Sequence, residues 1–186
     1  MSESFWQFSL RTYSKEPVPE ACLALQNQHG VDVNLLLFSL WFGMTRGVAD
    51  ENLLREVFEF SRSWASHVVV PLRGIRTWMK TEGCDDARID KSKCQEYRER
   101  VKKLELAGEK MQQEVLQTLV ADVDESQQAE SAQVQAMLAN CRAYFLTLGL
   151  EMKGEVNEQV ATIIVAALGG IARDDVLGQL SWGSRS

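Results

Sequence analysis

Proline occurs only three times in 186 residues, at positions 17, 19 and 71. Proline fixes φ and lacks the N–H that a helix interior needs, so a chain this poor in it is free to be helical along nearly its whole length. Strand signals are scarcer still. The β-prone run Val68-Val69-Val70 is followed at once by Pro71, and no partner strand or hairpin turn lies near it. The two histidines, His29 and His67, stand in no HxxxH or HxxE spacing, so no metal site and no cofactor are expected. A GxSxG turn, a glycine-rich phosphate loop and a GxGxxG after a strand are all missing, which leaves no catalytic motif and no enzyme activity to read from the chain.

Cysteine and long apolar runs are also in short supply. The four cysteines, Cys22, Cys84, Cys94 and Cys141, form no CxxC pair, and a chain of this size holds a core without a disulfide framework, so reduced thiols and a cytoplasmic location are expected. The most apolar stretches, 31–44 and 160–172, fall short of the roughly 20 residues that cross a bilayer. They read as buried core helices, and no membrane insertion is expected. The opening Met1-Ser-Glu-Ser-Phe-Trp has neither the basic start nor the apolar run of a signal peptide.

What remains is an ordinary globular composition, with 45% hydrophobic and 25% charged residues and a net charge of -6. Such a chain buries a continuous core, and its acid excess argues against general nucleic-acid binding, which needs surplus Lys and Arg to displace counterions. Apolar spacing of three and four predicts a single all-α domain over 1–186: a bundle with a buried apolar central helix and a long helical hairpin in the C-terminal half. It divides into an N-terminal helical half (1–84), the hairpin (90–149) and C-terminal helices (154–182). Asp32 can cap the central helix, 33–45, which is apolar on nearly every face. Pro71 is expected to start a helix of its own, and 90–120 to carry Tyr97, Val101, Leu104, Met111 and Val115 as its inward stripe.

Three groups of residues are candidates for function. Arg73, Arg76 and Lys80 share one helix face, an arrangement suited to phosphate or a carboxylate-rich partner; the plainer reading is a solvated face, and the functional one fails if the arginines pair with acids of the same domain. Asn34 sits in the most apolar helix, where an unpaired amide costs about 1–3 kcal/mol. It either ties helix ends or faces a ligand, and a cavity beside it would favour the second. The stretch 91–103 is basic, with Lys91, Arg98, Lys102 and Lys103 among its cations, and the acidic stretch 122–130 is its potential partner within the hairpin. Trp182, in a small polar tail, either tucks back or anchors a partner.

In Ser4-Phe5-Trp6-Gln7-Phe8-Ser9-Leu10, Gly30-Val31-Asp32-Val33-Asn34-Leu35-Leu36-Leu37 and Pro71-Leu72-Arg73, the first half resembles a family of small uncharacterised proteobacterial proteins of unknown function. The resemblance implies a bacterial cytosolic protein, draws attention to Asn34 and Arg73, and carries no mechanism. The leading expectation is therefore a helical interaction or adaptor protein with a protein partner met through Lys91, Arg98, Lys102, Lys103 and Trp182. Two others stay open. One is a small-molecule protein or enzyme holding an anionic or phosphorylated ligand near Asn34, Arg73, Arg76 and Lys80; the weaker is RNA or ribosome contact through the 91–103 face.

Overall fold

Ser4 opens the first helix through a reciprocal cap: its hydroxyl accepts the Gln7 N–H and the Gln7 side chain accepts the Ser4 N–H. The structure is a computed structural model that describes residues 3–126 and 128–182, with side chains described to residue 180. Helix α1 is Phe5–Tyr13 and α2 is Val18–His29, which Gly30 ends in the left-handed conformation at φ 68°. The central α3 is Val33–Thr45, capped by Asp32, and α4 is Glu51–Trp64, capped by Asp50. Next come α5 (Val70–Trp78), α6 (Lys91–Leu119), α7 (Glu130–Thr147), α8 (Glu155–Leu168) and α9 (Arg173–Trp182). The result is an all-α, single-domain helical bundle.

Helix α3 is buried from Asn34 to Gly43 on all its faces. It packs chiefly against α7, while α1 clamps it with aromatics, Phe5 stacking on Trp41 at 5.3 Å and meeting Phe38 edge-on at 5.6 Å. The C-terminal half departs from a simple hairpin in its partners. Helix α6 lies mainly along α5, with contacts to α1, α3 and α4, whereas α7 lies along α3. The acidic connection between them turns back on α3 as well, with the Ser126 N–H donating to the Thr45 carbonyl at 2.8 Å and Glu125 facing Arg46 at 3.8 Å.

Three expectations need correction. Pro71 does not begin a separate helix: α4 runs through a π turn, Ala65–Val69, straight into α5, where Pro71 falls in the first turn. Proline crowds the carbonyl four residues back, and the widened turn, in which the Val70 N–H reaches back to the Ala65 carbonyl, takes up the mismatch. On α6, Tyr97, Leu104 and Met111 are 59%, 59% and 51% exposed. The buried face, through Cys94, Val101, Glu105, Gly108, Gln112 and Leu116, is rotated by roughly 60° from the apolar stripe at 100° per residue. Polar residues take core positions there because they find partners.

The third correction concerns the thiols. Cys84 and Cys94 are joined by a disulfide, with Cα atoms 5.5 Å apart, inside a small second core with Met79, Val101 and Leu72. The turn between α5 and α6 folds them together, which no sequence spacing announced. Cys22 and Cys141 are free and buried, and burial pushes both thiols up.

Gly43 marks the closest approach of α3 to α7. A Cβ there would lie 2.5 Å from the Met137 nitrogen and 2.6 Å from its Cα, both backbone atoms that cannot swing aside. Gly43→Ala should destabilise the fold by about 2–3 kcal/mol through overpacking, lowering the melting temperature by roughly 4–10 °C. Gly74→Ala, with nothing within 4 Å, should instead raise stability by about 0.5–1 kcal/mol. Thermal denaturation followed by circular dichroism checks both; equal effects at the two sites would refute the close packing of α3 on α7.

Candidate functional site

Asp32 draws four helices to one point. As the cap of α3 its carboxylate accepts the Asn34 N–H at 2.9 Å; the same group accepts the Ser61 hydroxyl of α4 at 3.0 Å and the Gln112 amide of α6 at 2.9 Å. Its backbone N–H donates to the hydroxyl of Tyr144 on α7 at 2.7 Å. Asn34 extends the network, donating to Gln112 at 2.8 Å and accepting from Gln113 at 2.7 Å, and the Gln112 amide also donates to Ser61. Asn34, Ser61, Gln112 and Gln113 are all buried. Satisfied to this extent, a polar network is rigid, because any member that moved would leave another unpaired.

A second polar cluster joins α5 to α6. Arg73 donates to Glu105 at 3.0 Å and to Glu109 at 2.8 Å, and Arg76 grips Glu105 in a two-pronged contact. Glu105 is only 5% exposed. Burial alone would push its carboxyl up, but hydrogen bonds and charge from Arg76 and Arg73 outweigh it and hold the group below the ordinary 4.5. Glu109 moves the other way: burial raises it, and the neighbouring Glu105 charge adds to that against the pull of Arg73.

Beside both clusters lies a cleft of about 970 Å³. Its floor is the α2–α3 turn with Asp32, Leu35 and Tyr144, and its walls come from Leu54 and Phe58 of α4, Ala65 and Val69 of the π turn, and the end of α7. Phe58 packs against the Tyr144 ring at 5.5 Å. Val70, Leu146 and Leu148 stand on the rim 55%, 77% and 41% exposed, so the apolar lining continues out to solvent. Arg73 reaches the edge from its ion pairs. Volume and lining fall within the range of small-molecule sites.

The residues singled out in sequence are thus distributed unevenly. Arg73 borders the cleft, but it and Arg76 are neutralised by Glu105 and Glu109 of the same domain, the condition under which a phosphate-binding face loses its cations. Lys80 is exposed in a π turn, Met79–Gly83, at the end of α5. Asn34 faces the network and not the cleft, with both ends of its amide bonded. Lys91 pairs with Asp85 at 3.3 Å and Arg98 with Glu99 at 3.2 Å, while Lys102 and Lys103 are exposed. The Trp182 side chain lies outside the described residues. Ser61 falls on the inward three-and-four spacing of α4 and is buried, whereas Tyr144 and Gln112 carried no signal beyond a glutamine pair in the middle of a long helix.

The fold and site define a helical protein of one domain in which a buried polar network stiffens the floor of an apolar cleft. Residues 4–116 match the family described as protein of unknown function (DUF2390), and the chain belongs to that family. The whole Asp32 network except Tyr144 falls within the matched segment. No curated protein and no solved structure matches. Among the described residues, no helix is long and apolar enough to cross a membrane.

The Glu105 cluster makes a pH-dependent prediction. A group whose folded value is depressed adds stability that is complete above 4.5 and lost as pH falls through its folded value. Glu105→Gln should cost about 2 kcal/mol at pH 7, the scale of hydrogen bonds to a charged group, and should flatten the acid limb of stability below 4.5. Urea midpoints between neutral and acid pH measure this. Glu109, shifted upward, should yield no such flattening when replaced by Gln, and a parallel acid limb in Glu105→Gln and the wild type would refute the assignment.

Proposed function

We propose that this protein binds a small, largely apolar molecule in the cleft between the α2–α3 turn, α4, the π turn and the end of α7. The observation that carries the reading is the cleft itself: about 970 Å³ of apolar-walled space set against a buried hydrogen-bonded polar network. An apolar site of this volume stabilises a ligand by removing its surface from water, at about 25 cal/mol per Å². The network supports it by fixing α3, α4, α6 and α7 relative to one another before any ligand arrives, which lowers the ordering cost of binding.

A second reading, a helical adaptor with a protein partner, has its own observation. Tyr97, Leu104 and Met111 repeat every seven residues on the open side of α6, and Ile75 and Trp78 of α5 are 46% and 54% exposed. Exposed apolar stripes of this kind suit a partner helix, with Lys91, Arg98, Lys102 and Lys103 at its margin. RNA contact through those cations is a weaker version. The setting proposed for either reading is the bacterial cytoplasm; the buried free thiols Cys22 and Cys141 are compatible with it, and the Cys84–Cys94 bond weighs toward an oxidising compartment.

The hydrocarbon dye 1,6-diphenylhexatriene tests the cleft, since it fluoresces only when shielded from water and has no polar group. One saturable site per chain is expected. Ala65→Trp, which places an indole in the cleft, should weaken binding by about tenfold or more, equivalent to 1.4 kcal/mol, while Leu104→Glu on the α6 stripe should leave it unchanged. Binding lost with Leu104→Glu and kept with Ala65→Trp would move the site to the stripe and overturn the cleft reading.

A further inference from the structure

Tyr144 lines the cleft, and its phenol has hydrogen-bonding capacity that the fold does not fully use. The residue is 3% exposed, and its phenol oxygen accepts the Asp32 N–H at 2.7 Å. A phenol also has a hydrogen to donate, and among the described residues no acceptor stands within hydrogen-bond distance of it. The nearby Asp32 carboxylate is committed to Asn34, Ser61 and Gln112. Burial, with the Asp32 charge behind it, pushes the phenol above its ordinary 10.0, so the proton stays in place at neutral pH. A buried donor without an acceptor costs about 1–3 kcal/mol, and a ligand that supplies the acceptor removes that cost.

Charge decides what kind of acceptor it is. The ionisable carboxylates lining the cleft are Asp32, Glu51 and Glu59, and the cations are Arg55, Arg62 and Arg73, three of each sign. Arg73 already serves Glu105 and Glu109 through two of its nitrogens, and Arg55 donates to Asn52. An anionic head placed at Tyr144 would meet the Asp32 carboxylate with no surplus of cations to offset it. A cationic head carries donors and no acceptor, so it would leave the phenol's hydrogen unpaired. An uncharged oxygen suffers neither penalty.

We infer that the cleft takes an uncharged, mainly apolar ligand bearing a carbonyl-type oxygen, which accepts a hydrogen bond from the Tyr144 hydroxyl. This rests on the cleft being a ligand site and names the class of molecule that fits it. The apolar body lies along Leu35, Leu54, Phe58 and Val69, and the oxygen is directed to the α2–α3 turn.

Four probes that share a ten-carbon phenylalkyl skeleton, competing against diphenylhexatriene, test the idea: butylbenzene, butyrophenone, 4-phenylbutanoate and 4-phenylbutylamine. In the wild type the ketone should bind at least as tightly as the more apolar hydrocarbon, and both charged probes should bind about tenfold more weakly or worse. Tyr144→Phe should weaken the ketone relative to butylbenzene by about fivefold, the worth of roughly 1 kcal/mol. The wild-type ranking alone keeps the inference falsifiable if Tyr144→Phe, which also strips the Asp32 N–H of its acceptor, folds poorly. Hydrocarbon bound several-fold more tightly than ketone, or phenylbutanoate or phenylbutylamine bound most tightly of the four, would overturn the ligand class while the dye result still stood. Failure of the dye to bind would remove the cleft reading and this inference with it.

Discussion

The Asp32 carboxylate is the point from which the rest of the arrangement follows. A charge this close to a packed interior is costly unless its oxygens are bonded, and here the partners come from three helices: the Asn34 N–H at the start of α3, Ser61 of α4 and Gln112 of α6. Position at a helix N-terminus adds a favourable dipole. Because each partner is itself buried, the geometry is reciprocal. Gln112 holds its place through Asp32 and Asn34, and Asn34 through Gln112 and Gln113. Sliding α6 by one turn along α3 would leave several buried polar groups unpaired at about 1–3 kcal/mol each, a large share of the total stability of a domain. The network therefore sets the register of α6, and apolar packing fills in around it.

With α6 fixed, its outer half determines where α5 lies. Glu105 is two turns before Gln112 on the same buried face, and it collects Arg73 and Arg76. Gly108 lies between them and lets α6 approach the π turn, where a Cβ would come within 3.2 Å of Val68; the Trp64 indole N–H donates to the Gly108 carbonyl at 2.9 Å. The π turn is thereby held against α6 on one side and left open on the other. The cleft is the space on its open side, bounded by α4, the α2–α3 turn and the end of α7. It owes its shape to the same contacts that make the interior rigid.

Much of this was legible in the sequence, and the rest was hidden for identifiable reasons. The bounds of α3, the Asp32 cap and the Gly30 stop follow from local chemistry, and the structure repeats them. Burial on α6 did not follow, because periodicity tracks apolar side chains and this helix buries Glu105, Gln112 and Gln113 while exposing Tyr97, Leu104 and Met111. Polar residues enter a core only when distant partners meet them, and those partners are up to 80 residues away along the chain. The continuity of α4 and α5 was masked for the opposite reason: Pro71 is a local stop signal, and a wider turn absorbed it. The cationic face of Arg73 and Arg76 was visible, but the carboxylates that neutralise it lie on another helix.

If the cleft is a ligand site, as proposed, this arrangement divides the work of recognition between two kinds of surface. Apolar walls discriminate weakly, since an extra or missing methylene changes binding by only about 1–3 kcal/mol, and walls open to solvent discriminate less. The rim here is open, with Leu146 77% and Val70 55% exposed. A buried hydrogen-bond donor is far more selective, because a ligand lacking the acceptor leaves the donor unpaired in a place water reaches poorly. Tyr144 is also held in place by its contact with Asp32 and its packing on Phe58 and Phe145, so the position of its oxygen is fixed by the fold. The Asp32 that locks the helices together also holds Tyr144, the group to which the proposed ligand's oxygen is assigned. On the proposed reading, stability of the core and choice of ligand are coupled through that residue, and a change at Asp32 should alter both.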